Sequence, residues 1–328
     1  MLKTGFPGDG EARFCIYPKE ERVRVHVLGS GAGGGFPQWN CNCPNCHDFR
    51  AGTVKAQART QASIAVSADG QGWVLINAGP DIRQQIQAFS ALEPAHSPRH
   101  TPISAVLLTN AEIDHVAGLL SLRESQPLSL YASRQVQGWL LETNAMFRTV
   151  CAPPRCTWHG LEYGAAYDLI GVDGQPSGLV YEAFVVPGRA PAYLLGRVSD
   201  WSEAAVGYRI SDCRSGRSLV YVPGIKALDD SVMAYLRNCD AFFLDGTCWT
   251  DDEMISVGLA QKTSLSMGHI PMTGPDGSLE GLAALDRVRK IYTHLNNTNP
   301  VLIEDSAQRR TVEAAGWEVA FDGMDFEV

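Results

Sequence analysis

Residues Val23 to Leu28, in "VRVHVLGSGAGGG", alternate apolar and polar side chains, the period of a half-buried strand. The run ends in a glycine-rich loop, Gly29 to Gly35. "QASIAVSA" and "GWVLINAG" predict two further strands. In "PDIRQQIQAFSAL", Ile82, Ile86 and Phe89 recur at helical spacing behind Pro80 and Asp81, which suit a helix start. "ISAVLLT" is short and almost wholly apolar, as a strand buried on both faces would be. "DHVAGLLSLRES" predicts the helix after it. The alternation resumes with strand "PLSLYAS" and helix "RQVQGWLLET", then strand "SLVYVPG", helix "DSVMAYLRNC" and strand "DAFFLDGT". It ends with helix "DGSLEGLAALDR", strand "RKIYTHLNN" and a helix in "DSAQRRTVEAAG" that begins at Asp305 or Ser306. Residues 149–205 are rich in Gly and Pro and read as strands and loops. With no dividing linker and no internal repeat, the pattern predicts one α/β domain over 23–328, sheets inside and helices outside. Residues 1–22 read as a loosely ordered leader.

Composition narrows the class. With 45% hydrophobic and 19% charged residues in 328, a sizeable core forms and disorder is excluded as a class. The net charge of -9 leaves no basic excess to neutralise phosphates, so nucleic acid is not the expected partner. No apolar run reaches membrane-spanning length and the N-terminus lacks a secretory h-region, so no membrane association is expected and a cytoplasmic location is. The nine cysteines are odd in number. Six are scattered, as reduced thiols are.

The other three crowd into "CNCPNC". Cys41, Cys43 and Cys46 in so short a loop favour a structural Zn(II) over a redox pair. The fourth ligand stays open between the adjacent His47, Cys248 and the loop around Asn297. Asp114 and His115 stand where a predicted strand gives way to a helix, the usual place for functional residues in α/β folds. The blander alternative makes Asp114 a helix cap and His115 a core histidine. His269, in "MGHIPM", and His294, in "YTHLNNTNP", gain meaning only if they meet Asp114 and His115 in space. "GSGAGGG" leads into the cysteine segment rather than a helix, so a dinucleotide-binding role is set aside.

Taken together, "VLLTNAEIDHVAGLL", "INAGPDIRQQI" and "MGHIPM" resemble the metallo-β-lactamase superfamily. "FPQWNCNCPNC" and "HLNNTNP" narrow the resemblance to its branch in biosynthesis of the cofactor pyrroloquinoline quinone (PQQ), from about residue 23 to the C-terminus. The resemblance implies an αββα sandwich, two mixed sheets flanked by helices. In the superfamily His-x-His-x-Asp-His serves two metals. Here the first-site positions read Asn110, Glu112 and Arg189, and the bridging aspartate reads Gly224. The second-site set, Asp114, His115 and His294, is intact. Two histidines and one carboxylate are the ligand set of mononuclear Fe(II) oxygenases.

The resemblance thus implies dioxygen-dependent hydroxylation of the tyrosine ring of a cross-linked Glu–Tyr unit derived from a precursor peptide. It leaves room for a homodimer. His269, oriented by Asp245, is assigned to substrate positioning or proton transfer. Arg189 is assigned to a substrate carboxylate, and Asn110, Glu112 and Asn296 to its polar groups. A related branch places a histidine, as zinc ligand, where this chain has Asn297. The competing readings are a one-metal hydrolase and a non-enzymatic carrier.

Overall fold

The computed structural model describes residues 22–95, 97–124 and 127–328. The leader expected over 1–22 lies outside the described residues, apart from the exposed Arg22.

Two seven-stranded sheets pack face to face. The first holds β1 (Arg24–Gly29), β2 (Ser63–Ser67), β3 (Trp73–Ile76), β4 (Ile103–Leu107), β5 (Leu128–Ala132) and β6 (Cys156–Gly160) in that order. The second holds β7 (Ala166–Ile170), β8 (Pro176–Val185), β9 (Val206–Asp212), β10 (Ser218–Val222), β11 (Ala241–Asp245), β12 (Arg289–Thr293) and β13 (Trp317–Val319). The chain then returns to the first sheet, where β14 (Asp325–Glu327) pairs with β1. Each sheet is parallel on one side, β3 to β6 and β10 to β13, and antiparallel on the other.

Alternate residues of the strands feed different apolar layers. Val25, Val27 and Ile64 face Tyr208, Tyr221, Phe243 and Ile291 between the sheets. Leu75, Val106 and Leu130 turn outward to Ile82, Val136 and Leu140 of the covering helices. On the second sheet, Phe242, Leu244 and Tyr292 do the same against Val232, Leu236 and Val312. Hence Phe243 and Phe242, neighbours in sequence, serve different cores. Truncating either to alanine costs about 3–5 kcal/mol. The result is an αββα sandwich. The alternation in β1 has its own cause: His26 faces the covering layer, stacked at 3.6 Å on Phe89 and 2.6 Å from Asp325.

Three local expectations change. The helix after β4 spans only Ile113–Val116 before a 3₁₀ turn, Ala117–Leu120. This turn presses on the loop after β3 so closely that a Cβ on Gly118 would stand 2.3 Å from the Gly79 oxygen. "DGSLEGLAALDR" is helical only over Ser278–Gly281, where a glycine interrupts it. The cysteine segment, read as loop, carries a helix, Pro44–Ala51, with Pro44 at its first position. The helix expected from Asp305 or Ser306 starts with Ser306 as cap, its side chain accepting from the Arg309 amide.

The carboxyl ends of β3, β4, β10, β11 and β12 meet at one edge of the sandwich, where α/β folds place their ligands. Backbone bonds stitch the sheets together there. Ala32 N–H donates to Leu295 O at 2.8 Å, and Val206 N–H to Thr109 O at 2.8 Å.

Candidate metal centre

Beyond β4 the chain runs through Thr109 and Asn110 into the turn that carries Asp114 and His115. A Cβ on Gly79 would stand 2.3 Å from the Asp114 carbonyl oxygen, so only glycine lets the turn approach. His115 is buried. Its Nδ1 lies 2.8 Å from Asn110 Oδ1 and 3.2 Å from the Thr109 hydroxyl. Asn77 Oδ1 holds that hydroxyl at 3.1 Å and the Thr109 amide at 2.9 Å. Because Asn110 Oδ1 only accepts, the proton sits on Nδ1 and the lone pair on Nε2. That Nε2 is buried and, among the described residues, has no hydrogen-bond partner. It lies 3.8 Å from Asp114 Oδ2.

His294 arrives from the other sheet, one residue past β12, in a left-handed conformation at φ 57. Such backbone for a non-glycine residue costs about 1–3 kcal/mol and persists where its surroundings hold it. Here the holding group is Thr247, whose hydroxyl is 2.8 Å from His294 Nδ1 and donates to Asp245 Oδ1 at 2.7 Å. Having given its proton to Asp245, the hydroxyl accepts from Nδ1–H. His294 Nε2 then turns to Asp114 Oδ2, 3.1 Å away.

Asp114, His115 and His294 thus converge, each offering one ligand atom, all within 4.8 Å of one another. Burial pushes His115 down to about 4, which keeps its imidazole neutral and its lone pair free. Burial would raise Asp114, but His115 and His294 outweigh it and hold the carboxyl well below its usual range. An anionic oxygen beside a neutral imidazole with an orphaned nitrogen is an incomplete constellation that a divalent cation completes. The donors, two nitrogens and one oxygen, fit Fe(II) or Zn(II).

Asp245 is fully buried and accepts from the Ile225 and Thr247 amides, the Thr247 hydroxyl and His269 Nδ1, the last at 2.6 Å. Burial works against charge on both partners. Their attraction prevails, lowering Asp245 and raising His269. His269 stacks 5.2 Å from the His294 ring.

Asp114, His115, His294, His269 and Thr247 line a cavity of about 210 Å³, with Asn110, Glu112, Arg189 and Asn296 around them. Asn110 Oδ1 is committed to His115 and to the Glu112 amide, so only its Nδ2 remains for a ligand. Burial and Asp114 raise Glu112, and Arg189 opposes them. Arg189 donates to Ser266 O at 2.9 Å, while its Nε is buried and has no partner among the described residues. Gly224 stands beside the cavity; a Cβ there would lie 3.7 Å from His269 Cε1 and 4.0 Å from Asn110 Nδ2.

Cys41, Cys43 and Cys46 form a second group that could hold a metal. Burial pushes the Cys43 thiol up to about 12, a penalty that a bound cation would cancel. Asn297 Nδ2 lies 3.1, 3.5 and 3.4 Å from the three sulfurs. Neither His47 nor Cys248 joins the group. His47 follows Cys46 on the helix, turned about 100° away, and is exposed. Cys248 lies instead beside Glu253 and Ser264.

Sequence reading missed Thr247, the hydroxyl that orients His294, and Asn77, which steadies Thr109. It also missed Met254 and Met267 in the cavity wall. Thr247 follows the buried "FFLD" run, a position where a hydroxyl signals more than a turn.

Residues 72–295 match the family model of the β-lactamase superfamily domain. Coenzyme PQQ synthesis protein B of Methylobacterium sp. (strain 4-46) is 45% identical over 305 residues, 92% of this chain and 99% of its own. A crystal structure of zinc-bound PqqB from Methylobacterium extorquens superposes with a TM-score of 0.85 at 43% identity, covering 93% of this chain and 100% of that one. A diphosphatase of the PhnP family shares the fold alone, with a TM-score of 0.64 at 21% identity over 94% of this chain and 97% of its own. The chain belongs to the coenzyme PQQ synthesis protein B family, within the β-lactamase superfamily.

Proposed function

We propose that the protein acts in PQQ biosynthesis as a mononuclear, iron-dependent hydroxylase of the tyrosine ring in a cross-linked Glu–Tyr intermediate. The observation that carries this reading is the orphaned Nε2 of His115, facing Asp114 and His294. Around it, Asn110, Glu112 and Arg189 line the cavity and Gly224 stands beside it, at the positions that the resemblance gives to the ligands of a second metal. Asp114, His115 and His294 would hold Fe(II), which when bound supplies the capacity to activate dioxygen. Cys41, Cys43 and Cys46 would hold a structural zinc, in keeping with the zinc-bound relative.

The chain's own groups do the rest. Arg189 offers a planar donor fork to a substrate carboxylate. Met254 and Met267 give an aromatic ring apolar, deformable walls. His269 is held by Asp245 through Nδ1, so its Nε2 is the atom that delivers or removes a proton at the ring. Thr247 couples this pair to His294, so proton-transfer group and ligand keep a fixed relation. The same Asp245–His269 pair would serve a metal-dependent hydrolase as general base, which makes hydrolysis the second reading.

Anaerobic loading with Fe(II), followed by oxygen and a tyrosine-type substrate, separates them. Hydroxylation predicts oxygen uptake matched by a catechol product. Absence of uptake, with ester or phosphodiester cleavage in Zn(II), would establish the hydrolase instead.

A further inference from the structure

Asn296 lines the cavity, and both hydrogens of its amide are spent within the protein. One goes to the Thr298 hydroxyl at 2.5 Å, the other to Met254 Sδ at 3.1 Å. The sulfur has only lone pairs, so the reverse orientation would set oxygen against an acceptor. Thr298 has a single proton, and it goes to Glu253 Oε1. Its hydroxyl therefore accepts from Asn296. Glu253 is buried, and its second oxygen takes the Trp249 amide at 2.5 Å. The Asn296 backbone is equally fixed, its N–H donating to Thr247 O at 3.1 Å and its carbonyl accepting from the Asn299 amide at 2.9 Å. Among the described residues Asn296 Oδ1 accepts no hydrogen bond.

We propose that Glu253 and Thr298 are positioning residues that lock Asn296 with Oδ1 toward the cavity, where it selects substrates presenting a hydrogen-bond donor. This deepens the reading of the cavity as a substrate site and rests on it. An acceptor at Asn296 stands in a cavity that also holds Glu112, while the donor fork of Arg189 is left for a carboxylate. A ligand that covers this acceptor without supplying a donor strips its solvation without return, so a ligand lacking the group is rejected. In a tyrosine-type substrate the donor is the ammonium or the phenol.

The test compares affinities of the purified, metal-loaded protein for three probes by calorimetry. They are L-tyrosine, 3-(4-hydroxyphenyl)propanoate, which lacks the ammonium, and L-phenylalanine, which lacks the phenol. Mildly alkaline buffer keeps Glu253, pushed up by burial to about 7, ionised. Thr298→Val removes the hydroxyl at constant shape and frees the amide to turn. It should weaken L-tyrosine about tenfold and leave one analogue unchanged. The unaffected analogue names the missing donor as the one that Asn296 reads. Thr298→Ser should restore the wild-type ratio. Glu253→Gln, with one acceptor oxygen for two donors, should reduce it, and full discrimination in that variant would remove Glu253 from the device. Equal weakening of all three probes by Thr298→Val, no weakening of any, or no binding of L-tyrosine to the folded wild type would overturn the proposal. None of these outcomes depends on oxygen uptake, so the proposal can fail while the hydroxylase reading stands, and the reverse.

Discussion

Asp114 and His294 lie 180 positions apart, just beyond strands of different sheets, yet Oδ2 of one is 3.1 Å from Nε2 of the other. The contact closes the edge where the two sheets meet. It also means that either residue alone offers a cation one ligand, and the pair with His115 offers three.

Asp114→Asn, His115→Ala and His294→Ala should each remove about one metal equivalent per chain by the coordination argument. Elemental analysis checks this, and the metal proposed for Cys41, Cys43 and Cys46 should be retained as internal reference. His115→Ala empties a buried position and removes the bond to Asn110 Oδ1, so lost metal together with a lowered melting temperature is the expected pair of results.

Thr247 touches no cation position, yet it sets which nitrogen of His294 carries the proton. Thr247→Val should lower the affinity of the centre about 10- to 100-fold, the usual penalty for losing a ligand's outer partner. Thr247→Ser should restore it. Competition with a chromophoric chelator reads both.

Two glycines separate space from strain. At Gly224 a methyl group meets only ordinary contacts, so Gly224→Ala should fold normally and weaken substrate binding by occupying the cavity. At Gly79 the same methyl would collide with the Asp114 carbonyl. Gly79→Ala should cost about 1–3 kcal/mol by overpacking and disturb metal binding as well. Denaturant melts and metal content distinguish the two.

Glu253 gives a pH signature. Its folded value, about 7, exceeds the ordinary 4.5 because burial disfavours the charge. Between those values the folded chain holds a proton that the unfolded chain has released. Stability therefore falls as pH rises through this window and levels off above it. In Glu253→Gln that slope should vanish, measurable as the difference between the two melting curves across the window.

Cys43→Ser should release one metal equivalent and lower the melting temperature. Asn297, against the three sulfurs, is three residues from His294, so the active centre should weaken too. A centre of undiminished affinity would show the two sites to be independent.

The alternating strands and helices at both ends were legible because their apolar periods are clean. β9 and β14 were not. β14 is three residues long, with alternate positions exposed, and is held in place by pairing with β1. The helix Pro44–Ala51 was hidden by its cysteines and proline, which suggest a loop. Among site residues, Asp114 and His115 stood out because a carboxylate and an imidazole followed a buried strand. Thr247 and Glu253 did not, since a hydroxyl or carboxyl gains meaning only from the partner that the fold brings to it. Asn110 was legible as a pocket residue, but not as the acceptor that fixes His115.

The centre draws Asp114 from the first sheet and His294 from beyond β12, so no half of the chain can assemble it. During synthesis β12 emerges long after β4. A nascent or half-folded chain offers at most Asp114 and His115, and the full set of three ligands is present once both sheets have docked. Metal retention at these three residues would thus report completed folding, because the ligand set exists only once both sheets have closed.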